Sequence, residues 1–348
     1  MTEYIELLKK LIATPSFSKE EHKTAELIAE FLLNKGLAPK RYLNNIWIEH
    51  PANRVGRPCI LLNSHHDTVK PSSSWHTDPF LPIQTNGKIY GLGSNDAGAS
   101  LVSLMAAFIH FYDKLLPFNL IYALTAEEEN SGTNGLESIL EKFGKLDLAI
   151  VGEPTEMEMA VAEKGLMVLD CSIAGIAGHA ARDEGENAIY KSLAIIEWFK
   201  NLDFPKVSEF IGKVKTTVTQ ISAGNQHNVV PDLCNFVVDV RTNGMYTNTE
   251  ILEYIKTNAG CNVNARSLRL NSSSINLDHP VVFAAKKTGI SLFGSPTTSD
   301  QAIIPYPSVK IGPGDSARSH TANEFICLSE IENGIKTYIN LLENIQFE

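Results

Sequence analysis

Five short stretches of the chain carry side chains that bind divalent metals or transfer protons in many enzymes. All of them offer imidazole nitrogen or carboxylate oxygen, and none contains cysteine. Such donors suit zinc or cobalt, with manganese also compatible, and they predict metal-assisted hydrolysis. The stretches are LLNSHHDTV with His65 and Asp67, GLGSNDAG with Asp96, TAEEENSG with Glu127, Glu128 and Glu129, VGEPT with Glu153, and GDSARSHTANE with His320.

The two adjacent histidines of the first stretch are expected to differ in role. Alternate side chains of a strand share a face, so His65 and Asp67 point one way and His66 points the other. One imidazole is therefore a candidate metal ligand, whereas its neighbour is a bystander. A single histidine or acid after a strand is more often a hydrogen-bonded loop residue, so the prediction of a metal site depends on all five stretches together.

The number of carboxylates predicts two metals rather than one. Three carboxylate ligands, Asp96, Glu129 and Glu153, carry three negative charges. Two divalent ions with one shared hydroxide carry three positive charges and would neutralise them. Without metal, carboxylates that converge in a pocket repel one another, and they either take up protons or disorder their loops.

Alternating apolar runs and helical patterns predict the α/β layer that positions these stretches. The polar groups follow the apolar runs, and in open α/β sheets sites form at that edge. Two helices open the chain, and the second is predicted to begin with a capping box formed by Ser18 and Glu21. The apolar runs cover residues 59–63, 119–124 and 148–151, and the helical patterns cover residues 97–115 and 134–143.

A different pattern of elements interrupts the first one after residue 164. It has the order βαββαβ and predicts a compact, ferredoxin-like α+β domain at residues 165–274. Residues 1–164 and 275–348 then form the catalytic metal-binding domain, with a mixed, largely parallel sheet flanked by helices. The predicted strands of the inserted domain are 166–173, 215–221, 235–241 and 261–268, and its helices are 187–199 and 250–258.

Composition limits the partners and the compartment. The formal net charge is -10, and the acids are scattered along the chain, which argues against binding to nucleic acid or to an anionic membrane. The five cysteines form no C-x-x-C pair, which favours a reducing cytoplasm over a disulfide framework. No apolar run approaches the roughly 18 residues of a membrane span, and the first helix lacks the core of a signal peptide.

The five stretches resemble, in order and spacing, a family of metallopeptidases and deacylases that includes acetylornithine deacetylases, succinyl-diaminopimelate desuccinylases, aminoacylases and glutamate-releasing carboxypeptidases. SHHDTV is similar to the family's G-H-x-D-x-V motif, with Ser64 in place of glycine. GLGSND is similar to G-R-G-x-x-D, with Leu92 in place of arginine, and TAEEE to T-x-D-E-E, with Glu127 in place of aspartate. GEPT and HTANE complete the resemblance, which covers essentially the whole chain.

The resemblance implies a role for each of these side chains. His65 would bind metal and be oriented by Asp67, Asp96 would bridge two metals, and Glu128 would be the general base. A shift of one residue within the three consecutive glutamates stays open. The implied cofactors are two Zn²⁺ ions, for which Co²⁺ or Mn²⁺ could substitute. The remaining implied ligands are Glu129, Glu153 and His320.

The inserted domain also resembles the family, as a lid and dimerisation domain. GIAGHAARDEGENAI is similar to the lid motif and implies that His179 crosses a homodimer interface to stabilise the oxyanion of the neighbouring site; otherwise, His179 caps the following helix. NVVPDLCNFVVDVR is similar to the stretch that holds a substrate carboxylate, which implies this role for Asn228 and Arg241. A solvated charge at a strand end is the simpler alternative for Arg241.

The implied activity is hydrolysis of an N-acyl amino acid, with the nearest resemblance to acetylornithine deacetylases of arginine biosynthesis. A succinylated amino acid is the main competitor, since Lys164, Arg182 or Arg318 could pair with a second carboxylate. A dipeptidase or carboxypeptidase of the same family comes next. A two-metal phosphohydrolase should show additional basic residues aimed at phosphate, and a metal-free binding protein should hold no zinc, cobalt or manganese.

Overall fold

A computed structural model describes residues 1–347 of the chain, and these residues form two compact units. Unit 1 contains Met1–Val161, Ser274–Phe293 and the residues from Ser299 onward, and unit 2 contains Ala162–Ser273 and Gly294–Thr298. Unit 2 thus begins three residues before the predicted insert at 165–274. It also includes a second, short segment that the order of elements along the sequence did not predict.

The strands form four sheets, of which two are large. They are β1 Lys40–Tyr42, β2 Asn45–Glu49, β3 Cys59–His65, β4 Ile83–Thr85, β5 Lys88–Tyr90, β6 Asn119–Thr125, β7 Leu148–Val151, β8 Met159–Glu163, β9 Gly165–Ala174, β10 Gly178–His179, β11 Lys215–Ala223, β12 Val229–Val230, β13 Leu233–Thr242, β14 Asn262–Ala265, β15 Ser273–Ser274, β16 Leu292–Ser295, β17 Ser308–Lys310 and β18 Phe325–Cys327.

The α-helices are distributed over both units. They are α1 Thr2–Ile12, α2 His22–Asn34, α3 Ala99–Phe111, α4 Glu137–Leu140, α5 Ala188–Asn201, α6 Asn248–Asn258, α7 Pro280–Lys287 and α8 Leu328–Asn344.

A mixed sheet forms the centre of unit 1. Its strands follow the order β1-β2-β6-β3-β7-β17-β8, and β15 and β16 complete the nine strands beside β8. Strand β3 pairs in parallel with β6 and β7, and β17 pairs in parallel with β7. All seven residues of β3 are buried, as expected for a central parallel strand covered on both faces. The predicted α/β class with a mixed, largely parallel sheet is confirmed.

Two predicted helices of unit 1 are shorter in the structure. The helix predicted at residues 97–115 is α3, Ala99–Phe111, which packs against α1, α8 and β3. The helix predicted at 134–143 is reduced to α4 and one 3₁₀ turn. The Ser138 hydroxyl donates to the Asn134 and Gly135 carbonyls, and such side-chain bonds to the backbone compete with helix formation.

The predicted capping box of α2 is wrong. Glu21 is the N-cap residue of α2, but no side chain caps this helix end. The Ser18 hydroxyl instead donates to Asp67 Oδ2 at 2.7 Å, and Glu21 Oε1 accepts from the Glu127 N–H at 3.2 Å. These partners are distant in sequence, so the local spacing of serine and glutamate could not reveal them.

Unit 2 has the predicted βαββαβ order. Strands β11, β13, β9 and β14 form an antiparallel sheet in that order, and α5 and α6 pack against it. Asn187 caps α5, and Thr247 with Glu250 forms a capping box on α6. The core of the unit includes Phe199 and Phe236. The strand predicted at 261–268 is limited to Asn262–Ala265.

Two further properties of residues 1–347 concern their helices and cysteines. Not one of their helices combines the length and the hydropathy needed to cross a lipid bilayer. All five cysteines carry free thiols.

Candidate metal centre

The candidate ligands of unit 1 lie where its parallel strands end. His65 is the last residue of β3, Glu128 and Glu129 follow β6, and Glu153 follows β7. Because these three strands are parallel neighbours, their carboxyl ends meet at one edge of the sheet. Asp96, which precedes α3, lies at the same place.

His65 lies at the centre of this cluster of candidate ligands. Its Nε2 atom is 3.3 Å from Asp96 Oδ1, 3.6 Å from Glu153 Oε1 and 3.8 Å from Glu128 Oε2. His320 approaches from the opposite side of Asp96, with its Nε2 atom 3.7 Å from Asp96 Oδ2 and 2.8 Å from Glu129 Oε2. Asp96 therefore contacts both imidazoles, one through each carboxylate oxygen.

Asp67 holds His65 and the glutamate loop together. His65 Nδ1 lies 3.0 Å from the Asp67 carbonyl oxygen and 3.5 Å from Asp67 Oδ1. The same carboxylate accepts the N–H groups of Glu128 and Glu129, each at 3.1 Å. The adjacent His66 points away, because its ring lies between the Thr24 hydroxyl and the Asn44 carbonyl. Burial lowers the pKa of His66 to about 4, so this imidazole is neutral.

The three consecutive glutamates occupy two environments. Glu127 turns away from the imidazoles, and its carboxylate accepts from the backbone and side-chain N–H groups of Asn134. Glu128 and Glu129 face the cluster, the first toward His65 and the second toward His320. This placement corresponds to the register that the family resemblance implies.

The cluster has an excess of negative charge. Burial raises the pKa of Glu128 well above its usual range and that of Glu153 to about 8, and neighbouring carboxylates add to both shifts. Burial opposes charge on His65, but Glu128 and Glu153 together raise its pKa well above the ordinary value. A hydrogen bond to Glu129 raises the pKa of His320 to about 9. Each of these raised pKa values means that the protonated form is favoured, so the pocket favours added positive charge.

This donor set fits two divalent cations. One ligand atom from each of His65, Asp96 and Glu129 lies within 4.8 Å of the others, and the same holds for His65, Glu128 and Glu153. Nitrogen and carboxylate oxygen are the donors that zinc, cobalt and manganese accept. The residues predicted to hold the two ions are His65, Asp96, Glu129, Glu153 and His320.

The substrate-site residues predicted in the insert all lie in unit 2. His179 pairs with Val229, and the Ala180 N–H donates to the Asn228 carbonyl at 3.0 Å, so His179 and Asn228 share one two-stranded ribbon. Arg241 lies on β13, where it makes two hydrogen bonds to Asp239 and donates to the Thr298 hydroxyl. Arg241 is thus engaged by neighbours rather than free in solvent.

Sequence reasoning missed three buried acids around the cluster. Glu21 binds the loop of the three glutamates, and Glu324 binds the turn that carries Asp96. Asp300 accepts from the Thr125 hydroxyl at 3.0 Å and contributes to the raised pKa of Glu128. The available signal for Asp300 was an acid in a polar run, TTSD, which follows the LFGS stretch of β16 after one proline.

The α/β fold of unit 1 and its cluster of imidazoles and carboxylates define a metal-dependent hydrolase. Residues 61–344 match the model of a protein family described as "Peptidase family M20/M25/M40". The chain belongs to this family, which confirms the family and the enzyme class that the motifs predicted.

Two relatives are similar to this chain over nearly their full length. Succinyl-diaminopimelate desuccinylase of Wolbachia pipientis wMel is 26% identical over 372 residues, which cover 98% of this chain and 92% of the relative. The enzyme of the same name from Coxiella burnetii (strain Dugway 5J108-111) is 26% identical over 377 residues, with 99% of each chain covered. These names correspond to the succinyl alternative rather than to acetylornithine.

Solved structures share the fold. Aminopeptidase PepT from Bacillus cereus ATCC 10987 has a TM-score of 0.79 at 19% identity, with 98% of each chain covered. The metallo-carboxypeptidase Sso-CP2 from Sulfolobus solfataricus has a TM-score of 0.78 at 19% identity, with 99% of each chain covered. YXEP of Bacillus subtilis, described as a dinuclear metal-binding peptidase, has a TM-score of 0.74 at 16% identity, again with 99% of each chain covered.

The raised pKa values predict how the stability of the metal-free protein depends on pH. The pKa of Glu153 is about 8 in the folded protein, against an ordinary value of 4.5. Between these values the folded state binds more protons than the unfolded chain, so stability falls as pH rises. His320, with its pKa raised from 6.5 to about 9, acts in the same direction. We expect the thermal midpoint of chelator-treated protein to decrease from about pH 5 to about pH 8.

Reconstitution with Zn²⁺ or Co²⁺ should reduce this dependence, because the cations then neutralise the carboxylates. The measurement is a thermal unfolding series over that pH range, with and without metal. A metal-free midpoint that rises across the window would contradict the charge balance described for the cluster.

Proposed function

We propose that the enzyme removes an N-acyl group from an amino acid, with succinyl as the preferred acyl group. The observation that carries the hydrolytic part is the Glu128 carboxyl, which lies 3.8 Å from His65 inside the cluster of predicted ligands. Zn²⁺ is the proposed metal, with Co²⁺ or Mn²⁺ as substitutes, because the donors are imidazole and carboxylate. When bound, the ions polarise the acyl carbonyl and lower the pKa of the attacking water.

The residues of the chain then move protons and stabilise charge. Glu128 accepts the proton of the attacking water and returns it to the leaving amine nitrogen. Asp67 keeps the His65 ring and the Glu128 backbone in place. His179 of the partner subunit donates to the tetrahedral oxyanion.

Replacing Glu128 by glutamine should leave two metals bound and lower kcat by about 10²- to 10⁴-fold, because only the proton carrier is lost. Metal content by elemental analysis and kcat on one N-acyl amino acid check this prediction. Glu141→Gln, which alters an exposed glutamate after α4, is the matched control and should behave as wild type. Retained activity in Glu128→Gln would show that another group is the base.

Positively charged side chains in unit 2 support an anionic acyl group. Lys215 and Arg241 are direct cross-strand partners, so their side chains share a face. The Thr298 hydroxyl donates to the Lys164 carbonyl and accepts from Arg241. Burial lowers the pKa of Lys164, and Lys215 and Arg241 lower it further. Lys215 and Arg241 thus lie close enough to Lys164 to shift its pKa, and Asp239 pairs with Arg241.

The other two candidate cations are less suitable. Arg318 donates to Glu330 at 2.8 Å and lies over the Phe325 ring, so its guanidinium is already engaged. Arg182 is 69% exposed and lies 3.7 Å from Glu184, where solvent weakens any pairing. Lys164 is therefore the best candidate for a succinyl carboxylate. The names of the relatives, succinyl-diaminopimelate desuccinylase, point to the same acyl group.

Acetyl is the second candidate acyl group. The resemblance of GEPT, and of VAEKG at residues 161–165, to acetylornithine deacetylases favours it, together with N-acetylornithine as substrate and arginine biosynthesis as pathway. A panel of N-acetyl, N-formyl and N-succinyl derivatives of ornithine, citrulline, arginine and glutamate, with N-succinyl-diaminopimelate and simple dipeptides, separates the two.

We expect N-succinyl substrates to exceed the matched N-acetyl substrates in kcat/KM. Lys164→Gln should lower kcat/KM for the succinyl substrate at least about tenfold, the value of one charge-assisted hydrogen bond, and should leave the acetyl substrate unchanged. Lys200→Gln, on the exposed face of α5, is the control. Preference for acetyl would support acetylornithine deacetylase activity instead, and a preference for dipeptides would contradict both assignments.

A homodimer through unit 2 is also part of the proposal. Strand β11 is an edge strand of its sheet, and unpaired strand edges pair with other chains. Ile221 on β11 is 56% exposed, and Tyr190 and Leu193 on α5 are 72% and 60% exposed. Large apolar side chains of this kind favour association with a second copy.

The free thiols are compatible with the cytoplasm, which we propose as the location of the enzyme.

Leu193→Glu should yield monomers in sedimentation velocity and lose activity, because His179 then no longer reaches a partner. Leu115→Glu, at a leucine of unit 1 that is 83% exposed, should leave both mass and activity unchanged. His179→Ala should remain dimeric with kcat lowered about 10²-fold or more. An active Leu193→Glu monomer would contradict the role of His179 across subunits.

A further inference from the structure

The Glu324 carboxylate binds the turn that carries Asp96. Only 2% of Glu324 is exposed. One carboxylate oxygen accepts the N–H groups of Asn95 and Asp96 at 2.7 and 2.9 Å, and the other accepts the Gly93 N–H at 3.1 Å. The Glu324 carbonyl also accepts from the Gly91 N–H at 3.0 Å. A single residue therefore satisfies four backbone donors of one turn.

A second set of contacts connects the same turn to the segment before His320. The Asn95 side chain donates to the Asp315 carbonyl and to the Ser319 hydroxyl, and its Oδ1 atom accepts from the Asp315 N–H. His320 therefore lies between two attachments to the Asp96 turn, with Asn95 binding the residues before it and Glu324 following four residues after it.

The conformation of the two ligands explains why such attachments are needed. Asp96 has non-helical dihedral angles, φ -114° and ψ 100°, three residues before α3 begins, and its N–H group donates to the Glu324 carboxylate. His320 has a φ of 58°, in the left-handed region that residues other than glycine seldom adopt. Neither conformation is maintained by regular secondary structure, and hydrogen bonds from neighbouring segments must fix both.

We propose that Glu324 is a positioning residue that fixes Asp96 and His320 relative to each other and so sets the affinity of the metal centre. This inference rests on the proposed metal centre. Glu324 itself contacts backbone groups rather than substrate or reacting atoms. A glutamine at this position has one acceptor oxygen instead of two, so at least one N–H group of the turn would lose its partner.

The test is a titration of Co²⁺ into chelator-treated protein, followed by the visible absorption of the bound ion. Glu324→Gln should bind Co²⁺ about 10- to 100-fold more weakly than wild type, with an altered spectrum, which is the usual effect of losing a group that orients a ligand. Glu324→Asp keeps both carboxyl oxygens on a side chain one methylene shorter and should show an intermediate loss.

Two control variants separate positioning from stability. Leu342→Ala removes a buried side chain of α8, 2% exposed, and should lower the thermal midpoint while binding Co²⁺ as wild type does. Glu332→Gln changes an exposed glutamate of the same helix and should change neither.

The outcomes are distinct. Weaker Co²⁺ binding in both Glu324 variants, with normal binding in Leu342→Ala, supports the inference. Wild-type affinity in Glu324→Gln, or an equal loss of affinity in Leu342→Ala, would overturn it while leaving the metal centre in place. If wild-type protein binds no Co²⁺, both the proposed metal centre and this inference are overturned.

Discussion

The repulsion among carboxylates around His65 is the constraint on which the rest of the site depends. Asp96, Glu128, Glu129 and Glu153 converge on two imidazoles in a largely buried pocket. Ions of like sign at these distances do not hold a pocket together in a medium of reduced dielectric constant. The carboxylates must therefore be placed by contacts outside the cluster, and their charge must be balanced by cations that enter it.

The chain meets this requirement with a second set of acids. Asp67 accepts the N–H groups of Glu128 and Glu129, Glu21 accepts that of Glu127, and Glu324 accepts that of Asp96. Each loop that presents an acid to the cluster is thus held through its backbone by another acid. Carboxylates make stronger hydrogen bonds than neutral acceptors, so the loops are firmly placed.

The sequence alone predicted the strands and the acids that local sequence patterns reveal. Apolar runs located the strands that end at His65, Thr125 and Val151, and motif resemblance located the acids after them. The assumed local pair of Ser18 and Glu21 failed, because both side chains bind partners brought near by the parallel sheet. Glu324 is the last residue of HTANE, but its role was not predicted, since its partners precede it by more than 220 residues. Periodicity reports neighbours in the chain, whereas these contacts depend on tertiary packing.

The run of three glutamates shows how one local contact can select a register. Glu127 has a φ of 57°, in the left-handed region, and its carboxylate is taken up by the N–H groups of Asn134. A Cβ atom at Gly132 would collide with that carboxylate, so only glycine leaves room for the longer acid. With Glu127 occupied, the next two side chains are the ones that face the imidazoles. The departure from T-x-D-E-E is therefore accommodated by Asn134 and Gly132, outside the cluster of ligands.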